Sequence, residues 1–311
     1  LTGVGQGPTS SVDIIPSSPP EVLTPSPPCV PTNLRPNRQH HRRIRPGSNK
    51  YQKFPQVRME GHRGAGHLEP QNSLKAFQRA IDIGLDGVET DVWLSKDGVV
   101  FIDHGFANGT EVFQDVGLKK LIELTSSDLE NLTLLNGEKL VLLEDLLDLA
   151  KNKISINIEL KDLREEIVAP VLDLVIEKGM LGQVTISSFN HSLRKTLTEE
   201  VAERCIEHPL NFGFITDVPN VTFPEYGVDT IPGDSINIDA LYLIRNETAA
   251  RAEMAKAAEY GVKTTYWFPW AYNTEETLYD KLLEVGTDTI ITNKPLVLMD
   301  YLRMLQNECP K

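Results

Sequence analysis

Two imidazoles, three carboxylates and two cations stand at four strand-like positions of this chain: His62 and Arg63, then Glu89 and Asp91, then His104, then Glu159 and Lys161. That is the set needed for metal-assisted cleavage of a phosphate ester. Glu89 and Asp91 are two residues apart in a β-rich run, so both carboxylates face the same way. Like charges that close are unfavourable unless a cation sits between them or one takes a proton. Hard oxygen donors suit Ca²⁺ or Mg²⁺ rather than zinc, and Glu159 adds a third from another strand. Singly, each is one surface acid among 44 Asp and Glu. Together they form a candidate site for one divalent metal ion.

His62 and His104 each follow an apolar strand-like run. Imidazole shuttles protons near neutral pH, and phosphodiester cleavage needs one group to take a proton and one to return it. A lone histidine is more often a packing residue, and His40, His41, His191 and His208 fall in arm or helical segments. His67, after the first strand, can reach the same place with nothing else to mark it. Arg63 offers a fork of donors to phosphate oxygens, and Lys161 a point charge. An ordinary ion pair of Lys161 with Asp162 or Glu165 is the alternative. Gly61, Gly64 and Gly66 allow close backbone approach.

Positioning these groups requires strands. From about Tyr51, short β-branched runs alternate with longer amphipathic segments, the pattern of repeated βα units. The spacing predicts strands at 57–61, 87–92, 98–102, 154–160, 183–187, 211–215, 236–239, 262–267 and 288–292. It predicts helices at 70–84, 141–151, 162–178, 190–204, 246–260 and 274–285. That is nine strands where a closed barrel has eight, and 236–239 is expected to be the extra one. Phe106–Leu140 is expected as a small insertion after the third strand. In 154–160, Ile154, Ile156, Ile158 and Leu160 alternate with Ser155, Asn157 and Glu159, and Lys161 continues the polar row. One face is aliphatic and suits packing under helices; the other points into the barrel mouth, where barrel active sites lie.

Composition is consistent with this. The 311 residues are 40% hydrophobic, enough for one large α/β domain over 51–311. The net charge is −13, which disfavours a nucleic-acid partner. Residues 1–50 carry six Lys/Arg against two Asp/Glu, a balance of +4, leaving −17 for the remainder. They also hold ten of the twenty prolines and lack hydrophobic periodicity, as in a disordered arm. Its end, Arg35 to Arg45, is either a solvated linker or a membrane-surface contact through anionic lipid. The cysteines, Cys29, Cys205 and Cys309, make no metal or redox spacing and cannot all pair within one chain, and a Cys29–Cys309 bridge is conceivable. Leu1 opens the chain, which is therefore expected to be processed, truncated or incomplete. Five Asn-x-Ser/Thr triplets, at Asn108, Asn131, Asn190, Asn220 and Asn246, point to a glycoprotein on a secretory route. The expected location is secreted, lumenal or membrane-associated. Asn108 and Asn190 fall just after predicted strands, where a glycan would crowd a pocket.

The chain resembles the glycerophosphodiester phosphodiesterase family over about Arg58 to Pro295. The strongest block runs from Gly61 to His104: GHRGAGHLEPQNSLKAF and DGVETDVWLSKDGVVFIDH. INIELK at 156–161 follows, with SSF at 187–189, WAYN at 270–273 and GTDTIITNKP at 286–295 as weaker pieces. The resemblance implies a (β/α)₈ TIM barrel and a divalent metal, Ca²⁺ or Mg²⁺, on Glu89, Asp91 and Glu159. It also implies His62 and His104 as the acid–base pair, Arg63 and Lys161 on the phosphate, and Trp270 lining the pocket. Core packing of Trp270 among Trp267, Phe268 and Tyr272 is the alternative. The implied substrate is a glycerophosphodiester, or a lysophospholipid in the lipid-active branch. Two places depart from the pattern: Gln71 stands where the family usually has Glu, and Gly105 follows His104 where it usually has Asp. They motivate a second reading, a catalytically silent barrel that binds phospholipid or a protein partner. A third is a lipid-cleaving relative that forms a cyclic phosphate by internal attack.

Overall fold

The computed structural model describes residues 57–105, 110–113, 117–134, 137–207, 210–217 and 223–308. The basic stretch Arg35–Arg45, the Cys29–Cys309 pair and the triplets at Asn108 and Asn220 lie outside them. Cys205, within them, is disulfide-bonded. No described helix is long and apolar enough to cross a membrane.

Eight parallel strands follow one another around a closed sheet. They are Arg58–Gly61, Gly87–Leu94, Ser155–Leu160, Val184–Ser188, Phe212–Thr216, Ser235–Asp239, Lys263–Trp267 and Thr289–Thr292. The last pairs with the first along Arg58↔Thr289 to Gly61↔Thr292, which closes the barrel. Helices cover the outside, among them Leu74–Ile83, Leu143–Ala150, Val168–Glu177, Leu193–Glu203, Glu247–Glu259 and Pro295–Glu308. This is a (β/α)₈ barrel.

The pleat of the third strand sorts its side chains as the alternation predicts. Ile156, Ile158 and Leu160 join one buried apolar cluster with Val168, Val171 and Val175 of the next helix. Asn157 and Glu159 face the other way, inside the barrel, where Ser187 Oγ donates to Asn157 Oδ1 at 2.8 Å. The interior has little room: a Cβ on Gly213 would come within 2.5 Å of Asn237 Nδ2.

The surplus strand is not 236–239. Ser235–Asp239 pairs along its whole length with Lys263–Trp267 and is a full member of the barrel. The extra one is Val100–Ile102, which lies antiparallel on the outer end of the second strand, Val92↔Ile102 to Leu94↔Val100. The cause is local. Ser95 N donates to Val99 O at 2.9 Å, Val99 N to Ser95 Oγ at 2.7 Å, and Gly98 takes φ +93°. This tight turn reverses the chain, and a reversed strand cannot join a parallel barrel. The insertion thus lies between the second and third barrel strands. Its Phe101, Leu121, Leu124, Leu129 and Leu132 form a small core of their own with Trp93 of the second strand.

The first helix begins at Leu74 rather than at 70. Ser73 Oγ accepts from Ala76 N at 3.1 Å and donates to Pro70 O at 2.6 Å, so Pro70–Ser73 form the entry turn and Gln71 and Asn72 face the barrel mouth. Loss of one such cap costs about 1 kcal/mol. Ser73→Ala is expected to lower the unfolding free energy by that amount, seen in urea unfolding as a lower midpoint at unchanged m-value.

Candidate active site

Asp91 and Glu159 are register partners on adjacent strands, and Glu89 lies one pleat below Asp91. One oxygen of each lies within 4.8 Å of the others, and all three residues are buried. Glu89 Oε1 has no hydrogen-bond donor. Asp91 Oδ1 and Glu159 Oε1 face Lys161 Nζ at 3.5 and 2.6 Å. The outer oxygens are held from behind. Arg63 N donates to Glu89 Oε2 at 3.0 Å. Asn72 Nδ2 donates to Asp91 Oδ2 at 2.9 Å, and Arg63 Nε lies 3.3 Å from the same atom. Burial, with the charges of Asp91 and Glu159, pushes the Glu89 carboxyl well above the usual range. Burial also works against the charge of Asp91, but Arg63 and Lys161 hold it below that range. Glu159 is raised by burial despite Lys161. Lys161 is itself raised, because Glu159 and Asp91 outweigh its desolvation. A buried set of hard oxygens, one of them without a donor, fits a divalent cation.

The histidines flank this cluster. His62 follows the first strand, its N donating to Thr292 O at 3.0 Å. Its Nδ1 lies 2.7 Å from Asn293 Oδ1, and its Nε2 is 3.8 Å from Glu89 Oε2. His104 arrives differently from the expectation, because the strand before it lies outside the barrel. The hairpin folds back onto the second strand, and Asp103 N donates to Asp91 O at 3.1 Å, which brings His104 to the mouth. Its Nδ1 lies 2.8 Å from Gly105 O. Burial first, and the charge of Arg63, lower His62 to about 3 and His104 to about 4, in both against the pull of Asp91. Both rings are neutral at physiological pH in the absence of a ligand.

Arg63 takes a left-handed φ of 54°, which turns its side chain back over the carboxylates. Its guanidinium stands 4.9 Å from the Trp270 ring and donates to Gln71 Oε1. Trp270 also meets the rings of His62 and His67 edge-on, at 5.6 and 4.5 Å. Trp270 therefore lines the mouth, and Phe268 is the fully buried core residue. Two glycines are required here: a Cβ on Gly61 would be 2.3 Å from Gly64 O, and one on Gly66 2.5 Å from Trp270 Cη2. Rather than Asp162 or Glu165, Lys161 pairs with Glu159 and Asp91, and Asp162 pairs with Arg164 at 2.9 Å. His191 bonds Ile215 O at 2.9 Å, away from the cluster. At Asn190 the side-chain nitrogen, the atom a glycan would take, donates to Leu163 O at 3.0 Å.

Sequence reasoning missed Asn72 and Asn293. Both were inside quoted motifs, and the available signal was position: Asn293 follows the last strand as His62 follows the first.

Comparison with known proteins bears on the fold and the family. The model of the glycerophosphoryl diester phosphodiesterase family matches residues 62–297. A glycerophosphodiester phosphodiesterase of Caldanaerobacter subterraneus subsp. tengcongensis is 28% identical over 252 residues, 78% of this chain and 96% of the relative. A solved structure from Galdieria sulphuraria superposes with TM-score 0.68 at 26% identity, covering 81% of this chain and 99% of that one. An Oleispira antarctica phosphodiesterase, solved with its product sn-glycerol-3-phosphate, gives TM-score 0.61 at 19% identity over 80% of this chain and 97% of that one, a likeness of fold. With a match that begins at the first of the two histidines and ends past the last barrel strand, the chain belongs to the glycerophosphoryl diester phosphodiesterase family of phosphoric diester hydrolases.

Proposed function

We propose that this enzyme hydrolyses a glycerophosphodiester to glycerol phosphate and an alcohol, with one divalent ion, Ca²⁺ or Mg²⁺, held by Glu89, Asp91 and Glu159. The observation that carries the reading is the buried carboxylate trio with a donorless Glu89 Oε1. The charge count supports it. Three carboxylates against Arg63 and Lys161 leave −1; a divalent ion and a phosphodiester monoanion bring the sum to zero. When bound, the ion supplies Lewis-acid polarisation of a phosphoryl oxygen and offsets charge building there. Arg63 and Lys161 orient the phosphate and stabilise the same charge. One of His62 and His104, neutral, takes the proton of the attacking hydroxyl through Nε2, and the other, having taken a proton from solvent on its Nε2 beside the bound phosphate anion, gives that proton to the departing alkoxide. The Trp270 face and the packed glycine turn wall the Arg63 side.

A second reading concerns the substrate. Four exposed apolar side chains lie on segments that follow barrel strands: Leu68, Leu163, Phe189 and Ile244. Lys161 Nζ stands 5.4 Å over the Phe189 ring, which joins this rim to the phosphate cations. An acyl-bearing lysophospholipid, cleaved to lysophosphatidic acid, suits such a rim. On this reading the basic stretch Arg35–Arg45 complements an anionic lipid surface.

Turnover of glycerophosphocholine, glycerophosphoinositol and lysophosphatidylcholine tests both readings. Chelator is expected to lower kcat by about 10²–10³-fold, restored by Ca²⁺ or Mg²⁺; full activity in chelator removes the ion from the mechanism. His62→Ala and His104→Ala are each expected to lower kcat by about 10²–10⁴-fold, and unchanged turnover in either excludes that histidine. Product chromatography separates hydrolysis from internal attack, because only the latter leaves a cyclic phosphate. For the rim, Phe189→Ser and Leu163→Ser are expected to lower kcat/KM on lysophosphatidylcholine about tenfold, the worth of one buried apolar side chain. Glycerophosphocholine is expected to change by less than about twofold in these variants; equal losses on both substrates would sink the lipid reading.

A further inference from the structure

Asn293 and Glu275 lie behind His62, and neither reaches the carboxylate cluster. Asn293 follows the eighth strand and is fully buried. Its Nδ2 points at two carbonyls, Pro269 O at 3.2 Å and Phe268 O at 3.4 Å. A carbonyl can only accept, so the amide has one sensible orientation, with Oδ1 toward the imidazole. An amide oxygen cannot donate either. At 2.7 Å from Asn293 Oδ1, Nδ1 of His62 must be the donor and must carry the ring proton. The lone pair of the neutral ring is then on Nε2, the atom that faces Glu89.

Glu275 fixes Asn293 in turn. It is fully buried and meets donors rather than a cation. Its Oε1 accepts from Asn293 N at 2.9 Å. Its Oε2 accepts from Thr292 Oγ1 at 2.5 Å and from Tyr279 OH at 3.4 Å. A buried carboxylate is costly unless such donors surround it, and here they come from Thr292, which ends the eighth strand, from Asn293, which follows it, and from Tyr279.

We propose that Asn293, held by Glu275, is a positioning residue that locks His62 in its Nδ1–H tautomer, so that every proton His62 handles passes through Nε2. The proposal deepens the histidine acid–base reading and rests on it for its kinetic consequence, but the tautomer can be observed without turnover.

The experiment is long-range ¹H–¹⁵N spectroscopy of the full chain labelled with ¹⁵N-histidine, His62 being assigned by its loss in His62→Gln. In the unsubstituted protein His62 is expected to show a protonated, pyrrole-type Nδ1 and a bare, pyridine-type Nε2. Asn293→Leu removes the acceptor and is expected to move the ring toward Nε2–H, the form neutral imidazole prefers in water. With it kcat is expected to fall about 100-fold while KM stays within about threefold. Asn293→Asp restores an acceptor and is expected to restore the Nδ1–H signature and recover at least tenfold of the lost kcat. Glu275→Gln loses one acceptor oxygen and is expected to give an intermediate tautomer mixture. A purely structural role for Asn293 predicts lost thermal stability with an unchanged tautomer in every folded variant. That result, or an Nε2–H ring in the unsubstituted protein, overturns the proposal. If Asn293→Leu fails to fold, the unsubstituted spectrum and Asn293→Asp decide the matter alone. A locked tautomer in a protein without turnover on any of the three diesters would sink the functional reading and leave the positioning role standing.

Discussion

The mutual repulsion of three carboxylates in a closed, water-poor space sets the terms for everything around the mouth of this barrel. Unit charges at the spacing of Glu89, Asp91 and Glu159 repel by about 3–4 kcal/mol per pair at the effective dielectric of a protein. Burial adds a desolvation cost for each. Such a cluster persists only with compensating charge, and the neighbours supply part of it. Lys161 lies against two of the oxygens and Arg63 against the back of a third. The residual −1 is a demand for a cation, and the donorless Glu89 Oε1 shows where the demand is greatest.

The barrel satisfies the geometric part of this demand through register. Parallel pairing puts Asp91 directly beside Glu159, and the two-residue pleat stacks Glu89 under Asp91. Closure between the first and last strands seats His62 beside Thr292 and Asn293. Apart from Glu89 and Asp91, these groups come from distant parts of the chain, and His62 and Asn293 are 231 residues apart. One geometric operation, closing eight strands into a ring, thus assembles the acids, one imidazole and its amide partner. The second imidazole comes by another route. His104 rides on a hairpin outside the ring, steadied by the insertion's own apolar core, so the site joins a rigid wall to a separately built flap of chain.

That difference explains what the sequence revealed. Period-two alternation from Ile154 to Lys161 is a repeating signal, and it gave the buried face, the interior face and the direction of Glu159 together. Glu89 and Asp91 were legible for the same reason. The strand at 100–102 was legible as a strand but not as an outsider, because its composition is that of a barrel strand. The deciding feature is a single turn, Ser95 to Gly98, where one serine hydroxyl and one glycine φ reverse the chain. Asn72 and Asn293 were not legible as site residues at all. A lone amide in a loop has no periodicity, and its role is defined by partners that only the closed ring brings near. Trp270 falls between these cases: the motif placed it at a strand end, but only the packing against Arg63, His62 and Gly66 separates a pocket wall from core.

The amides also account for Gln71, which stands where a charged residue was expected. Three neutral side chains, Gln71, Asn72 and Asn293, hold three charged or titratable groups. Gln71 accepts from Arg63, Asn72 donates to Asp91, and Asn293 accepts from His62. A carboxylate at Gln71 or Asn72 would add a further negative charge within reach of a cluster already short of positive charge. At Gln71 it would also tie up the guanidinium that must be shared with a phosphate. An amide gives nearly the same hydrogen-bond geometry with a dipole instead of a net charge. Orientation is thereby separated from electrostatics. The amides fix where Arg63, Asp91 and His62 point, and the charge that balances the trio is left to come from Lys161, Arg63 and whatever binds between the acids. Glu275 obeys the same rule from the other side: it is a further buried acid, behind His62, and its oxygens are turned away from the cluster onto Thr292, Asn293 and Tyr279.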